Sequence, residues 1–270
     1  MNKTILITGA SSGIGKATAK YFQEKGWNVV ATMRSPDKEK ELTELENVLV
    51  TRLDVLDKDS IKDAVSKSIE RFGKIDVLLN NAGYGAYGIL EAASDENITR
   101  QFNTNVLGLL FVTREVLPHF RKNKDGMIIN ISSIGGKITM PLGTLYHGTK
   151  FAVEGLSEAL HYEMETIGVK VKIIEPGVVA TDFTGRSLDM FMNPKMKEYI
   201  PILQKMMELR KAGVDYRSEP KQIAEVIYRA ATDGTNKMRY PAGDDAVEII
   251  GNRDKWDDET YFKEWKKQFN

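Results

Sequence analysis

The chain contains no cysteine. That single absence removes thiol nucleophiles, disulfide frameworks and thiolate zinc sites, and it accords with a reducing compartment. Charge of one sign is missing too. The 38 Lys+Arg balance 38 Asp+Glu for a formal net charge of zero, so no long-range field points toward nucleic acid or anionic lipid, and neither is expected as a partner. Long apolar runs are absent as well: nowhere do about 18 consecutive apolar residues occur, as a membrane span would need. The opening run Ile5 to Ile7 falls far short of the ~7 to 15 residues of a signal-peptide core. A cytoplasmic protein is therefore expected. Histidine is scarce, and His119, His147 and His161 lack an acidic or thiolate partner at ligand spacing, so no metal site is expected.

What the 270 residues do contain is a regular alternation, in a composition of 41% hydrophobic and 28% charged residues that can bury a substantial core. Short β-rich runs (Thr4 to Thr8, Asn28 to Thr32, Asn47 to Leu53, Ile75 to Asn80, Met127 to Ser132, Val169 to Glu175, Lys237 to Pro241) alternate with helical patterns (Ser12 to Lys25, Asp57 to Phe72, Asp95 to Lys122, Tyr146 to Ile167, and one opening at Ser218-Glu219-Pro220). Successive βαβ units predict an α/β fold, a doubly wound, mostly parallel sheet of about seven strands with helices on both faces, in one domain over the whole chain. Ligands then bind beyond the carboxyl ends of the strands. The pattern weakens over residues 182–217, where a helical, substrate-covering lid is expected. Thr181 to Tyr216 holds five of the 11 methionines, joined by Phe183, Leu188, Phe191 and Leu203, which suggests an adaptable apolar cover; Tyr84 and Tyr87 could add walls.

Each candidate site follows one of these strands. Thr8-Gly9-Ala10-Ser11-Ser12-Gly13-Ile14-Gly15 joins the first strand to the first helix. Backbone N–H groups and a helix N-terminus can there face a pyrophosphate, and the glycines permit the tight turn and close approach. After the second strand comes Ala31-Thr32-Met33-Arg34, with no acid to bind a ribose 2′-hydroxyl and with a guanidinium able to hold a 2′-phosphate. NADP(H) is therefore expected over NAD(H). Tyr146 and Lys150 stand four apart at a helix start, on one face; a nearby ammonium favours the phenolate and lowers the phenol's pKa. Reduction of a carbonyl needs such an acid for the developing alkoxide. Ser132-Ser133, after another buried strand, places a hydroxyl at the same rim to hold the substrate oxygen.

Taken together, these motifs resemble the short-chain dehydrogenase/reductase family in its single-domain form, over Thr4 to about Thr181. Thr8 to Gly15 matches its Thr-Gly-x-x-x-Gly-x-Gly, Asn80-Asn81-Ala82-Gly83 its Asn-Asn-Ala-Gly, Asp54-Val55 its acidic turn, and Pro176-Gly177-Val178-Val179-Ala180-Thr181 its Pro-Gly segment. The resemblance implies a catalytic tetrad of Asn105, Ser133, Tyr146 and Lys150, with Ser133 chosen over Ser132 by its interval to Tyr146. It implies that Asn105 holds a relay water and that Lys150 binds the nicotinamide ribose. Cofactor contacts would come from Gly9, Ser11, Ser12, Gly13, Ile14, Gly15, Arg34, Asp54, Val55, Asn81, Ala82, Gly83, Tyr146, Lys150, Pro176, Gly177, Val179 and Thr181. The overall look is similar to 17β-hydroxysteroid-dehydrogenase-like and retinol-dehydrogenase-like branches, hence a hydrophobic ketone or secondary alcohol as small-molecule substrate, and a homodimer or homotetramer through the two long helices. A non-catalytic NADP(H) sensor is the alternative.

Overall fold

The structure, a computed structural model, describes residues 2–181, 188–212 and 217–267. Seven strands form one parallel sheet: β1 (Thr4–Ile7), β2 (Asn28–Met33), β3 (Val48–Arg52), β4 (Val77–Asn80), β6 (Gly126–Ile131), β7 (Val169–Pro176) and β9 (Arg239–Ala242), in the order β3-β2-β1-β4-β6-β7-β9. Side chains alternate across each strand, so Ile5 and Ile7 pack on one face of β1 with Phe22 and Ile227, while Leu6 faces Ile61, Val112 and Phe120 on the other. Helices cover both faces, which is why the central strands read as continuous apolar runs rather than alternating ones. The strand order reverses between β1 and β4, where a crevice opens at the carboxyl ends.

Local chemistry fixes the helices. In α2 (Lys58–Phe72) the Asp57 carboxylate caps the N–H groups of Asp59 and Ser60, and Gly73 ends the helix in the left-handed region. At α7 (Pro220–Thr232), Glu219 and Gln222 cap one another reciprocally and proline takes the first turn. Helix α1 (Gly13–Glu24) differs from these two: Ser12 makes no side-chain cap, and its first turn holds no acid.

Three expectations need correction. The helix expected from Asp95 to Lys122 is α3 (Asp95–Phe102) and α4 (Gly108–Asn123), separated by a π-helical turn at Asn103–Leu107. That turn includes Asn105, and such bulges recur at functional positions. Secondly, the segment expected as a helical lid is not wholly helical among its described residues. It holds the strand β8 (Leu188–Phe191), parallel to β5 (Gly85–Gly88), before α6 (Ile200–Ala212); residues 182–187, Phe183 among them, and 213–216 lie outside the described residues. Thirdly, two C-terminal helices were not anticipated: α8 (Asp244–Arg253) and α9 (Asp258–Lys267). Ile250 and Tyr261 pack there on Ile134 and Ile138, and the Tyr261 hydroxyl accepts from Thr139 N–H at 2.9 Å. No helix among the described residues is long and apolar enough to cross a membrane.

Candidate active site

The glycine loop sits at the crevice and is clamped from β4. Asn81 donates from Nδ2 to the carbonyls of Thr8 at 2.9 Å and Gly9 at 3.0 Å, while Thr8 Oγ1 accepts from the N–H groups of Asn81 at 2.9 Å and Ala82 at 3.0 Å. Gly9 has φ +69°, and a Cβ there would meet Ala82 Cα at 2.9 Å; at Gly15 it would meet the Gly9 carbonyl oxygen at 2.4 Å. Backbone therefore packs on backbone, and the uncapped N-terminus of α1 faces out over Ser11, Ser12 and Ile14 with its positive end available to an anion. A pyrophosphate fits this cradle in shape and sign.

The remaining cofactor candidates ring the same crevice. Arg34 is exposed just beyond β2, and among the described residues it makes no ion pair. Asp54 accepts from Leu56 N–H at 3.0 Å, closing the turn after β3, and Val55 fills the gap that Gly108 leaves, where a Cβ would lie 2.6 Å from it. A Cβ built at Gly83 would lie 3.1 Å from Asn105 Oδ1, a tight contact that the Asn105 side chain would have to ease by a few tenths of an ångström. On the opposite wall, beyond Pro176 at the end of β7, Gly177 N–H donates to Ala242 and Val178 N–H to the Asp245 carboxylate, and Val179 pairs with Ser218. Thr181 closes toward Gly13, whose Cβ would meet it at 3.2 Å.

Ser133, Tyr146 and Lys150 converge at the rim. Helix α5 (Thr144–Glu165) carries the last two, with the Lys150 ammonium 5.7 Å from the centre of the Tyr146 ring. Ser133 Oγ accepts from Gly135 N–H at 3.0 Å and hydrogen-bonds the Tyr146 side chain. The phenol is 8% exposed, and burial raises its pKa, opposed by the Ser133 bond. The expectation of a phenol shifted down by the neighbouring cation is thus not what the chain alone sets: burial in a low-dielectric rim outweighs it. Burial also pushes Lys150 down to about 8, with Glu154 opposing. The ammonium donates to the Ile131 carbonyl at 2.9 Å.

Asn105 is a fastener. Its Oδ1 accepts from Tyr84 N–H at 3.0 Å, and its Nδ2 donates to Tyr84 O at 2.9 Å and Thr149 Oγ1 at 3.1 Å. Both amide hydrogens are spent, so a water held here would need the backbone of the π-helical turn rather than the side-chain donor.

Two neighbours of Tyr146 shape its surroundings: Tyr87, expected only as a wall, and His147, expected to have no site role. Tyr87, from β5, stacks on it with ring centres 5.2 Å apart and planes tilted by 31°. His147 bridges the preceding loop: Nε2 accepts from Met140 N–H at 3.0 Å, so Nδ1 carries the hydrogen that faces the Gly135 carbonyl at 2.9 Å. Its pKa is lowered by burial, in keeping with a neutral ring. His119 accepts from Ile75 N–H at 3.1 Å. Among the described residues no acid, histidine and cysteine cluster could hold a metal.

Comparison with known proteins agrees with this geometry. The family model described as short chain dehydrogenase matches residues 3–190. An uncharacterized oxidoreductase of Schizosaccharomyces pombe is 51% identical over 241 residues, 87% of this chain and 99% of the relative. A 3-ketodihydrosphingosine reductase of Bacteroides thetaiotaomicron is 44% identical over 252 residues, 93% and 92% of the two chains. Among solved structures, a short-chain dehydrogenase from Streptomyces avermitilis superposes with TM-score 0.85 at 30% identity, covering 98% of this chain and 96% of that one. ElxO with NADP bound superposes with TM-score 0.73 at 30% identity, covering 88% and 95%. The chain belongs to the short-chain dehydrogenase family and is a nicotinamide-dependent oxidoreductase.

Proposed function

We propose that this protein is an NADP(H)-dependent reductase of an extended, apolar ketone, with Tyr146 as proton donor, Ser133 as the group that holds the substrate oxygen, and Lys150 as the buried cation beside them. The single observation that carries this reading is the bond between Ser133 and a buried Tyr146 at the mouth of the glycine-lined crevice. A phenol whose pKa is raised keeps its proton at neutral pH and can give it to an oxygen that becomes an alkoxide. The bound nicotinamide would supply the hydride; the chain's residues supply the rest. Gly9 to Gly15 and the α1 terminus would hold the pyrophosphate, Asn81 to Gly83 and Pro176 to Thr181 would flank it, and Asp54 and Val55 would meet the adenine. Ser133 fixes the carbonyl oxygen within reach of the phenol, and Asn105 locks the strand-to-helix backbone beneath it.

Preference for the phosphorylated dinucleotide rests on Arg34, exposed at the turn where a 2′-phosphate would lie and without an ion pair among the described residues, and gains support from the NADP-bound neighbour. The substrate class rests on the wall beside Tyr146, built by Tyr87, Leu145 and Phe191, and on the exposed Met190, Met192 and Met207 of the cover. The name of the 44% identical relative favours a long-chain keto substrate over a steroid or retinoid. Exposed Leu107, Leu110 and Phe151 on α4, its preceding turn and α5 support self-association through those faces.

The test is a panel of long-chain ketones, steroids and retinoids with NADPH and NADH, run on the parent chain, Tyr146→Phe and Arg34→Ala. Tyr146→Phe is expected to lower kcat by about 10²- to 10⁴-fold with NADPH still bound. Arg34→Ala should cut the NADPH-over-NADH preference in kcat/KM by about tenfold or more. Turnover that survives Tyr146→Phe overturns the assignment; tight NADPH binding without turnover of any carbonyl makes the protein a sensor.

A further inference from the structure

Lys150 is a buried ammonium whose hydrogen-bond acceptor is a neutral carbonyl, and among the described residues no carboxylate lies within ion-pair distance of it. Isolated buried charge is costly, so something must offset it. Behind the lysine, away from Tyr146, lies a cluster that the reaction chemistry above leaves unused. Glu154 stands one helical turn along α5 from Lys150 and is 6% exposed. Its Oε2 accepts from Arg239 Nε at 3.0 Å, while its Oε1 and the Ser132 hydroxyl are buried without hydrogen-bond partners among the described residues. Glycine at 136 is what lets them approach. A Cβ there would lie 2.6 Å from Ser132 Oγ, 2.9 Å from Glu154 Cγ and 3.1 Å from the Lys150 carbonyl oxygen.

A second acid, Glu175 on β7, is fully buried with neither oxygen hydrogen-bonded among the described residues, and Arg239 Nε reaches it only at 3.6 Å. Arg239 also pairs with Glu158 on the surface side of α5. One guanidinium thus serves three acids, of which Glu158 is exposed and Glu154 and Glu175 are buried.

We propose a division of labour in which Glu154, paired with Arg239, is the positioning residue whose carboxylate supports the Lys150 ammonium one helical turn away, while Glu175, which has no charge-assisted bond, plays no part in that support. The geometry gives each acid a different environment: Glu154 has a charge-assisted bond and Glu175 has none. In agreement, the Glu154 charge is what opposes burial at Lys150, and burial leads the causes that push Glu175 up to about 7. The charged groups facing Glu175 are Glu154 from α5, Arg239 from β9, Lys137 from the loop before α5 and Asp254 at the end of α8; the two cations do not offset its desolvation. The inference rests on the reading of Lys150 as the cation of the reaction.

The experiment is the pH profile of kcat/KM for carbonyl reduction with NADPH. Glu154→Gln should move the alkaline limb to lower pH by more than about half a unit, since the ammonium then loses its proton more easily. Glu154→Asp, which keeps the charge but withdraws it by a methylene, should fall between Gln and wild type. Glu175→Gln removes the acid that does not act on Lys150 and should leave the limb in place. A Glu154→Gln limb that coincides with wild type, or a Glu175→Gln limb that moves as far as that of Glu154→Gln, overturns the proposal. Should the Gln variant not melt cooperatively, Glu154→Asp decides, and coincidence with wild type is then the overturning result. Lys150→Met separates the two readings: retained turnover removes the role of Lys150 itself, whereas lost turnover with unmoved Glu154 limbs removes only this inference.

Discussion

The two walls of the crevice are built by different means. On the nucleotide side, backbone packs on backbone: Gly9 against Ala82, Gly15 against the Gly9 carbonyl, with Asn81 and Thr8 supplying four hydrogen bonds between the β1 and β4 loops. On the side proposed for the substrate the wall is made of side chains on a short parallel ladder, β5 with β8, tied to α3 by an Arg100–Asp189 pair at 2.9 Å, and bears exposed Met190, Met192 and Met207. A cofactor common to many enzymes can be met by main-chain N–H groups in fixed geometry. A variable substrate is met by side chains that can re-pack. The first wall should then be brittle to single atoms and the second forgiving.

The sharpest way to break that contrast is Gly15→Ala. The added methyl would lie 2.4 Å from the Gly9 carbonyl oxygen and 2.5 Å from Asn81 Nδ2, so the loop must shift. Destabilisation of more than about 2 kcal/mol is expected, together with weakened NADPH binding, read by thermal melts and by NADPH fluorescence titration. Unaltered NADPH affinity would show that the cradle is not where the dinucleotide sits.

A smaller effect, of the opposite selectivity, is expected from Gly88→Ala at the end of β5. A Cβ there would meet the Phe191 carbonyl oxygen at 1.9 Å, which prises β8 from β5. KM for the carbonyl substrate should rise about tenfold, as about 1.4 kcal/mol of lost binding implies, with NADPH affinity unchanged. A matched loss of both would mean that the two walls form one unit and the contrast is wrong.

The asymmetry also decides what could be read from the residues in order. On the side proposed for the nucleotide the glycines were legible because Gly9 and Gly15 each answer a backbone clash, and the proposed catalytic residues Ser133, Tyr146 and Lys150 sit at strand ends and on one helix face, where spacing alone says that they can meet. The seven-stranded parallel sheet was legible from the alternation of short apolar runs with amphipathic helices. The π-helical turn at Asn103–Leu107 was not, since the apolar period continues through it from Asp95 to Lys122. The strand β8 was hidden for another reason: four residues, Leu-Asp-Met-Phe, hold no period long enough to separate strand from helix. Glu154 and Glu175 are also invisible as a pair, because their relation runs through Arg239, a contact between distant parts of the chain. A lone acid in the run Ile173-Ile174-Glu175-Pro176 was the available signal.

The mildest probe of the contrast is Arg100→Ala. Its guanidinium lies over the Tyr84 ring, 4.8 Å from the centre, and pairs with Asp189 on β8. Arg100 is half exposed, so water screens the pair, and its loss should cost no more than about 1 kcal/mol. Because Tyr84 is the residue that Asn105 fastens from both sides, the stacking should contribute packing rather than position. Expected are a melting temperature within a few degrees of wild type, a KM for the carbonyl raised by less than about fivefold, and an NADPH affinity that does not move. A fall in kcat with KM unchanged would instead mean that Arg100, through Tyr84 and Asn105, reaches the Tyr146 rim, and that the forgiving wall holds part of the chemistry.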